Sequence, residues 1–126
     1  MKLLIDTQLL IWAAAGTLSK KAESYFEDDD NELYFSPVSI WEITIKNSLN
    51  RKDFSIDAEL FYKGLIENGY LELPLTSLHT LSLDSLPKIH KDPFDRILIS
   101  QATAEGLRLL SSDKIISKYP GDIIFV

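Results

Sequence analysis

The sequence contains no cysteine. Disulfides, zinc–thiolate centres and thiol nucleophiles are therefore excluded, and the chain suits a reducing cytoplasm. It has no apolar run of the roughly 18–20 residues that a membrane-spanning helix needs. The opening Met1-Lys2-Leu3-Leu4-Ile5 is broken by Asp6, too early for a signal-peptide core. These absences lead to the expectation of a soluble, cytoplasmic protein with no membrane contact. No internal repeat, low-complexity stretch or linker is visible, so the 126 residues are expected to form one domain over 1–126. A basic surplus is missing too: the formal net charge is −6. Nucleic-acid binders usually advertise a basic surface. Either the acids are solvated surface, or some of them surround a cation that reverses the local field. The run Glu27-Asp28-Asp29-Asp30 fits the first description. A basic partner protein would also suit the balance.

What is present is enough apolar material, 45% of residues, for a real core. Short apolar runs alternate with helical patterns. Lys2–Ile5, Leu33–Phe35, Leu107–Leu110 and Ile123–Val126 read as strands, with a brief one at Tyr70–Leu73. Helices are expected from about Gln8 to Ala15, ending at Gly16, and from a Ser19 cap toward Glu27 or Asp28. Ser36-Pro37 is N-cap and N1 chemistry for a helix in which Val38, Trp41, Ile45 and Leu49 share a face. Residues 51–55 read as a connector. Asp57 or Ser55 caps a helix stopped at Asn68-Gly69, and Thr76 or Ser77 opens a short one ending near Leu86-Pro87. The clearest helix starts at Asp92-Pro93, runs to Glu105 and closes at Gly106. One more helical turn is expected at Lys114–Ser117. Strands alternating with helices argue for an α/β fold with a central parallel sheet flanked by α-helices.

The acids fall at one kind of place. Asp6 follows the first strand, Asp113 follows Leu107–Leu110, and Glu42 lies in the helix entered from Leu33–Phe35. Ligands of open α/β sheets bind beyond the carboxyl ends of strands. Asp92 and Asp95 open a helix that must pack on the same sheet. Five carboxylates on one edge repel each other unless a cation shares them. Hard cations such as Mg²⁺ and Mn²⁺ take oxygen ligands, activate water and offset phosphoryl charge. Each acid also has an ordinary role open to it. Asp6, Asp92 and Asp113 can each cap a helix. Glu42 stands four residues before Lys46, the spacing of a surface ion pair. Asp95 at N3 favours the helix dipole, although its position in the first turn also lets it reach the sheet edge.

Weaker signals surround these acids. Thr7, Ser111 and Ser112 carry hydroxyls that can meet a phosphate or cap a helix. Arg96 can pair with Asp92 or with substrate phosphate. His79 and His90 lack metal-ligand spacing and read as surface or loop residues. Trp12 and Trp41 sit among apolar neighbours at helical spacing and read as core. Lys20-Lys21 and Arg51-Lys52 read as solvated surface.

Four segments occur together: Leu4-Ile5-Asp6-Thr7-Gln8-Leu9-Leu10-Ile11-Trp12, Ser36-Pro37-Val38-Ser39-Ile40-Trp41-Glu42-Ile43, His90-Lys91-Asp92-Pro93-Phe94-Asp95-Arg96-Ile97-Leu98-Ile99-Ser100-Gln101-Ala102 and Leu109-Leu110-Ser111-Ser112-Asp113. In this order they resemble PIN-domain proteins, specifically the VapC-like toxins of type II toxin–antitoxin systems. The resemblance covers nearly the whole chain. It implies a PIN-like fold and an acidic catalytic site on Asp6, Glu42, Asp95 and Asp113, with Asp92 as an extra metal ligand. It also implies Mg²⁺ or Mn²⁺ dependence, RNA cleavage, homodimerisation and inhibition by a small antitoxin. Gln8 departs from the pattern, where many relatives carry histidine, and Ser111-Ser112 stands where Thr-Arg is frequent. The first departure touches substrate contacts and the second removes a positive charge.

Other aspartate enzymes fit less well. A receiver domain usually places paired acids after its first strand, and Asp6 stands alone there. A haloacid-dehalogenase-like phosphatase needs a second aspartate where Gln8 lies. The alternative of a different class is a catalytically inactive PIN-like module that binds RNA or protein.

Overall fold

The computed structural model describes residues 1–49 and 54–126. The basic pair Arg51-Lys52 and most of the connector expected at 51–55 lie outside the described residues. β1 (Lys2–Ile5) carries three consecutive fully buried side chains, Leu3, Leu4 and Ile5. Such a run is stable only in a strand covered on both faces. β1 pairs in parallel with β2 (Glu32–Phe35) and with β4 (Arg108–Ser111). β3 (Leu71–Glu72) adds to β2, and β5 (Ile123–Phe125) adds to β4, both in parallel. The order is β3-β2-β1-β4-β5. The chain thus grows outward in one direction from β1 and then restarts on its other side, which leaves a topological switch between β1 and β4.

Alternation along the strands divides the core. Leu3 and Ile5 point to the face covered by α1 (Thr7–Ala15), α2 (Lys20–Glu27) and α4 (Ala58–Glu67), through Leu9, Leu10, Ala22 and Leu65. Leu4 and Leu109 point to the opposite face. There α3 (Pro37–Ser48) and α6 (Pro93–Glu105) bring Val38, Leu98, Ile99 and Ala102. α5 (Ser77–Leu81) packs beside α6. The architecture is therefore the expected one, a parallel sheet between two helical layers.

Several helix ends form as their residues dictate. Asp6, Ser19, Ser36, Asp57 and Asp92 each accept a backbone N–H as N-cap. Gly106 terminates α6 at φ 69°, a left-handed conformation that a Cβ disfavours.

Other expectations need correction. The short helix opened by Thr76 ends at Leu81, and residues Ser82–Ser85 continue as a 3₁₀ turn. The turn after Asp113 is also 3₁₀, at Ile116–Lys118. Trp12 and Trp41 are 37% and 53% exposed, so neither belongs to the core. Trp41 instead meets the ring of Phe94 edge-on, with centroids 5.0 Å apart. His79 is only 1% exposed. Its Nδ1 accepts from the Thr76 N–H at 3.0 Å, and its Nε2 lies 2.8 Å from Glu105. It fastens α5 to the end of α6. Among the described residues, no helix is long and apolar enough to cross a membrane.

Candidate active site

The register of β1 against β4 pairs Ile5 with Leu110. The next residues, Asp6 and Ser111, therefore lie side by side at the carboxyl end of the sheet. Asp6 is buried. One carboxylate oxygen accepts from the Leu9 N–H at 3.0 Å, capping α1, and the other accepts from the Ser111 hydroxyl. Burial raises its pKa above the ordinary value. The two hydrogen bonds oppose that shift, and the charges of Asp113 and Glu42 add to it.

Ser36 and Pro37 start α3 directly from β2, which carries Glu42 inward on the second turn. A hydrogen bond of 2.8 Å from Thr7 to Ser39, both buried, ties α3 to the start of α1. Glu42 forms the expected pair with Lys46, at 2.8 Å, but it is no surface residue: it is 5% exposed. Its second oxygen, Oε1, is buried without a hydrogen-bond partner. A buried, unpartnered carboxylate oxygen is costly unless something cationic satisfies it.

α6 supplies the next two acids. Asp92 caps the helix through the Phe94 N–H at 2.9 Å. Asp95, at N3, reaches into the cavity, and its pKa is raised to about 7. Burial is the main cause, followed by the charges of Asp92 and Glu42. His90 acts in the opposite sense, and Asp6 adds a last upward contribution. Asp113 follows β4 and accepts from the Ile115 N–H at 2.7 Å, so its capping role is real. Its own N–H donates to the Ser111 hydroxyl at 3.0 Å.

Asp6, Glu42, Asp92, Asp95 and Asp113 all line one cavity of about 310 Å³, with Thr7, Gln8, Lys46 and Ser112 completing the wall. Asp6 and Asp113 follow β1 and β4 at the carboxyl edge, where ligands of such sheets bind, and α3 and α6 carry Glu42, Asp92 and Asp95 to the same cavity. The acids offer oxygen donors that repel one another and include one orphaned buried atom, while among the described residues the group already within ligand distance is His90, Asp95 and Asp113. These residues fit a hard divalent cation.

One member was missed from sequence. His90 is not a detached loop residue. Its Nε2 lies 2.9 Å from Asp95 and 3.3 Å from Asp113. These three side chains hold ligand atoms within 4.8 Å of one another. Nδ1 accepts from the Asp92 N–H at 3.2 Å, which in the neutral ring leaves the proton on Nε2, facing the two acids. The backbone N–H of His90 is held by the Tyr119 hydroxyl at 2.7 Å. Arg96 also differs from expectation. It bonds the carbonyls of Leu83 and Pro87 at 3.1 and 3.3 Å rather than Asp92. Thr7 and Ser111 spend their hydroxyls on protein groups.

The PIN domain family profile matches residues 3–122. The chain belongs to the PIN domain family. Solved structures share this PIN fold across their whole length. VapBC2 from Rickettsia felis, bound to a DNA fragment from its promoter, is 14% identical with a TM-score of 0.69, covering 100% of this chain and 98% of that one. DNA-bound VapBC from Salmonella typhimurium is 15% identical with a TM-score of 0.70, covering 99% and 98%. VapBC-1 from nontypeable Haemophilus influenzae is 16% identical with a TM-score of 0.66, again covering 99% and 98%. At such identities the likeness is one of fold. No curated protein matches the chain.

Ser111 is the structural pin of this PIN-domain site, because it touches Asp6 and the backbone of Asp113 at once. Ser111→Ala strands a carboxylate oxygen and an N–H together. It is expected to lower stability by about 1–3 kcal/mol, measured by urea unfolding. Parent-like stability would show that the hydroxyl does not hold the two acids.

Proposed function

We propose that this PIN domain is a Mg²⁺- or Mn²⁺-dependent endoribonuclease of the VapC type, the toxin of a type II toxin–antitoxin pair. The observation that carries the reading is the cavity of convergent acids, with the Glu42 Oε1 buried and unpartnered inside it. Asp6, Glu42 and Asp95 would hold the cation, Asp92 would assist, and Asp113 would close the negative pocket. When bound, the ion offsets charge on the scissile phosphodiester and lowers the pKa of the attacking water.

The remaining tasks fall to side chains. Leu9 and Ser111 fix both oxygens of Asp6, so that carboxylate keeps one orientation. His90 orients Asp95 and Asp113 through its Nε2–H. Lys46, the cation on the cavity wall, neutralises Glu42 and offers positive charge toward an incoming phosphate. Neither a serine nor a histidine nucleophile is required.

Protein partners fit the same reading. Trp41 and Ile45 on α3, with Leu49 at its C-cap, leave one side of this helix apolar and exposed. A groove of about 550 Å³ of mixed polar and apolar lining also runs between α1, α2 and α4, with Leu60 exposed at its edge. Exposed apolar surface of this kind marks contacts with other proteins. A second copy of the chain and a small antitoxin are the proposed occupants, and the cytoplasm is the proposed compartment.

The purified chain is expected to cut single-stranded RNA with Mn²⁺ and to stop when EDTA is added. A chain that binds RNA but cleaves nothing under any divalent condition would be a binding module, and the enzyme reading would fall. A small antitoxin that binds the chain is expected to suppress the cleavage.

A further inference from the structure

A second cavity, of about 530 Å³, opens beside the acidic one and is lined by Leu83, Lys88, His90, Lys91, Pro93 and Arg96. His90 links the two, lining this cavity and touching two acids that line the other. Its ring meets Asp95 and Asp113 on one side and lines this cavity on the other. The two cavities differ sharply in charge, with five carboxylates in one and three cationic side chains around the other.

Those cations are available. Lys88 and Lys91 are exposed, and among the described residues neither they nor Arg96 take part in an ion pair. Arg96 is held by two backbone carbonyls, at 3.1 and 3.3 Å, so its guanidinium is fixed without its charge being cancelled. Leu83 and Pro93 add apolar wall. Apolar surface beside a fixed guanidinium suits the face of a base, and mobile lysines suit the phosphates on either side of it.

The chain carries a net charge of −6, so RNA approaching the acidic cavity is repelled. A divalent ion answers only the phosphate being cut. The flanking phosphates need cations of the protein, close by and not already paired. We propose that this basic cavity seats the nucleotide next to the scissile phosphate of a single-stranded RNA, with Lys88 and Lys91 on its phosphates and the base against Arg96, Leu83 and Pro93. The proposal rests on the ribonuclease reading and adds to it a place for the substrate. It calls for a single-stranded substrate, because a base held in a duplex cannot enter a side cavity without leaving its stack.

The test is a Lys88→Ala/Lys91→Ala double variant beside a Lys20→Ala/Lys21→Ala control, which removes the same charge from exposed positions on α2. The probe is a short fluorescein-labelled single-stranded RNA, titrated in EDTA at several salt concentrations. The site variant is expected to bind about tenfold more weakly, and its log–log salt slope is expected to be shallower by about 1.4, or about 0.7 for each lost phosphate contact. In Mn²⁺ its KM is expected to rise by about tenfold with kcat retained. The control is expected to follow the parent. Parent-like binding and KM in the site variant, or an equal loss in the control, would overturn the proposal. If binding depends on Lys88 and Lys91 while the parent never cleaves, the nuclease reading fails and the cavity stands only as an RNA-binding site. If the parent cleaves with a KM indifferent to both lysines, the seat fails and the nuclease stands.

Discussion

Asp6→Asn is expected to abolish RNA cleavage while leaving the fold intact and close to the parent in stability. The geometry explains why the two effects separate. Asp6 is buried, and burial together with the charges of Asp113 and Glu42 penalises its ionised form more than its two hydrogen bonds relieve it. Asparagine removes that penalty at nearly constant volume. Asn is as good an N-cap as Asp, so its oxygen can keep the Leu9 N–H. Its amide then faces the Ser111 hydroxyl, which has a lone pair for the new donor but whose own O–H loses its acceptor, so part of the gain is offset. What is lost is the negative charge that a divalent cation requires. Perturbing groups that merely orient metal ligands costs about 10–100-fold, so loss of a ligand is expected to exceed about 100-fold. Glu42→Gln is the companion variant, since it blunts the charge beside the unpartnered Oε1. Chelator-sensitive cleavage retained in Asp6→Asn would remove Asp6 from the ion's ligands. A collapse in stability would show that its charge serves the fold.

The parts of this molecule that were legible in the sequence are those specified locally. Leu3-Leu4-Ile5 before Asp6 marks a central strand and its carboxyl end. Asp92-Pro93 and Gly106 bound α6 because capping and left-handed backbone are properties of single residues. The acids could be assigned to one edge because parallel strands place their carboxyl ends together. His90 escaped because its role is set by distance in space: Asp113 lies twenty-three residues on, and only the packing of α6 against β4 brings them to 3.3 Å. His79 escaped for the same reason, with Glu105 twenty-six residues away. Trp41 misled in the opposite direction. Helical spacing puts it on a face with Val38, but Val38 meets the sheet while Trp41 lies outward over Phe94.

Without divalent ions, the folded chain is expected to lose stability as pH rises from about 4 to about 7, against the usual behaviour of salt-bridged acids. Asp95 has a pKa near 7 in the folded chain, against 3.8 when unperturbed. Within that window the folded state binds more protons than the unfolded state, so the slope of unfolding free energy against pH is negative. The stabilising proton is fully held below the unfolded value and is gone above the folded one. The sign of that shift sets the direction of the effect, and Tm is expected to fall across the window. Asp6 shifts in the same direction and adds to the effect. Saturating Mn²⁺ is expected to reverse it. A cation that binds ionised carboxylates stabilises by about 2.7 kcal/mol at a hundred times its Kd, and it competes with protons for Asp95. The gain in Tm on adding Mn²⁺ should therefore be large at pH 8 and small at pH 5. Asp95→Asn should flatten the ion-free profile and raise stability at pH 8. Thermal unfolding across pH 4–8, in EDTA and in Mn²⁺, reads all of these. An ion-free profile that climbs toward pH 7, or a Mn²⁺ effect equal at both ends, would mean that the acids are not in conflict and that the cavity is not built for a cation.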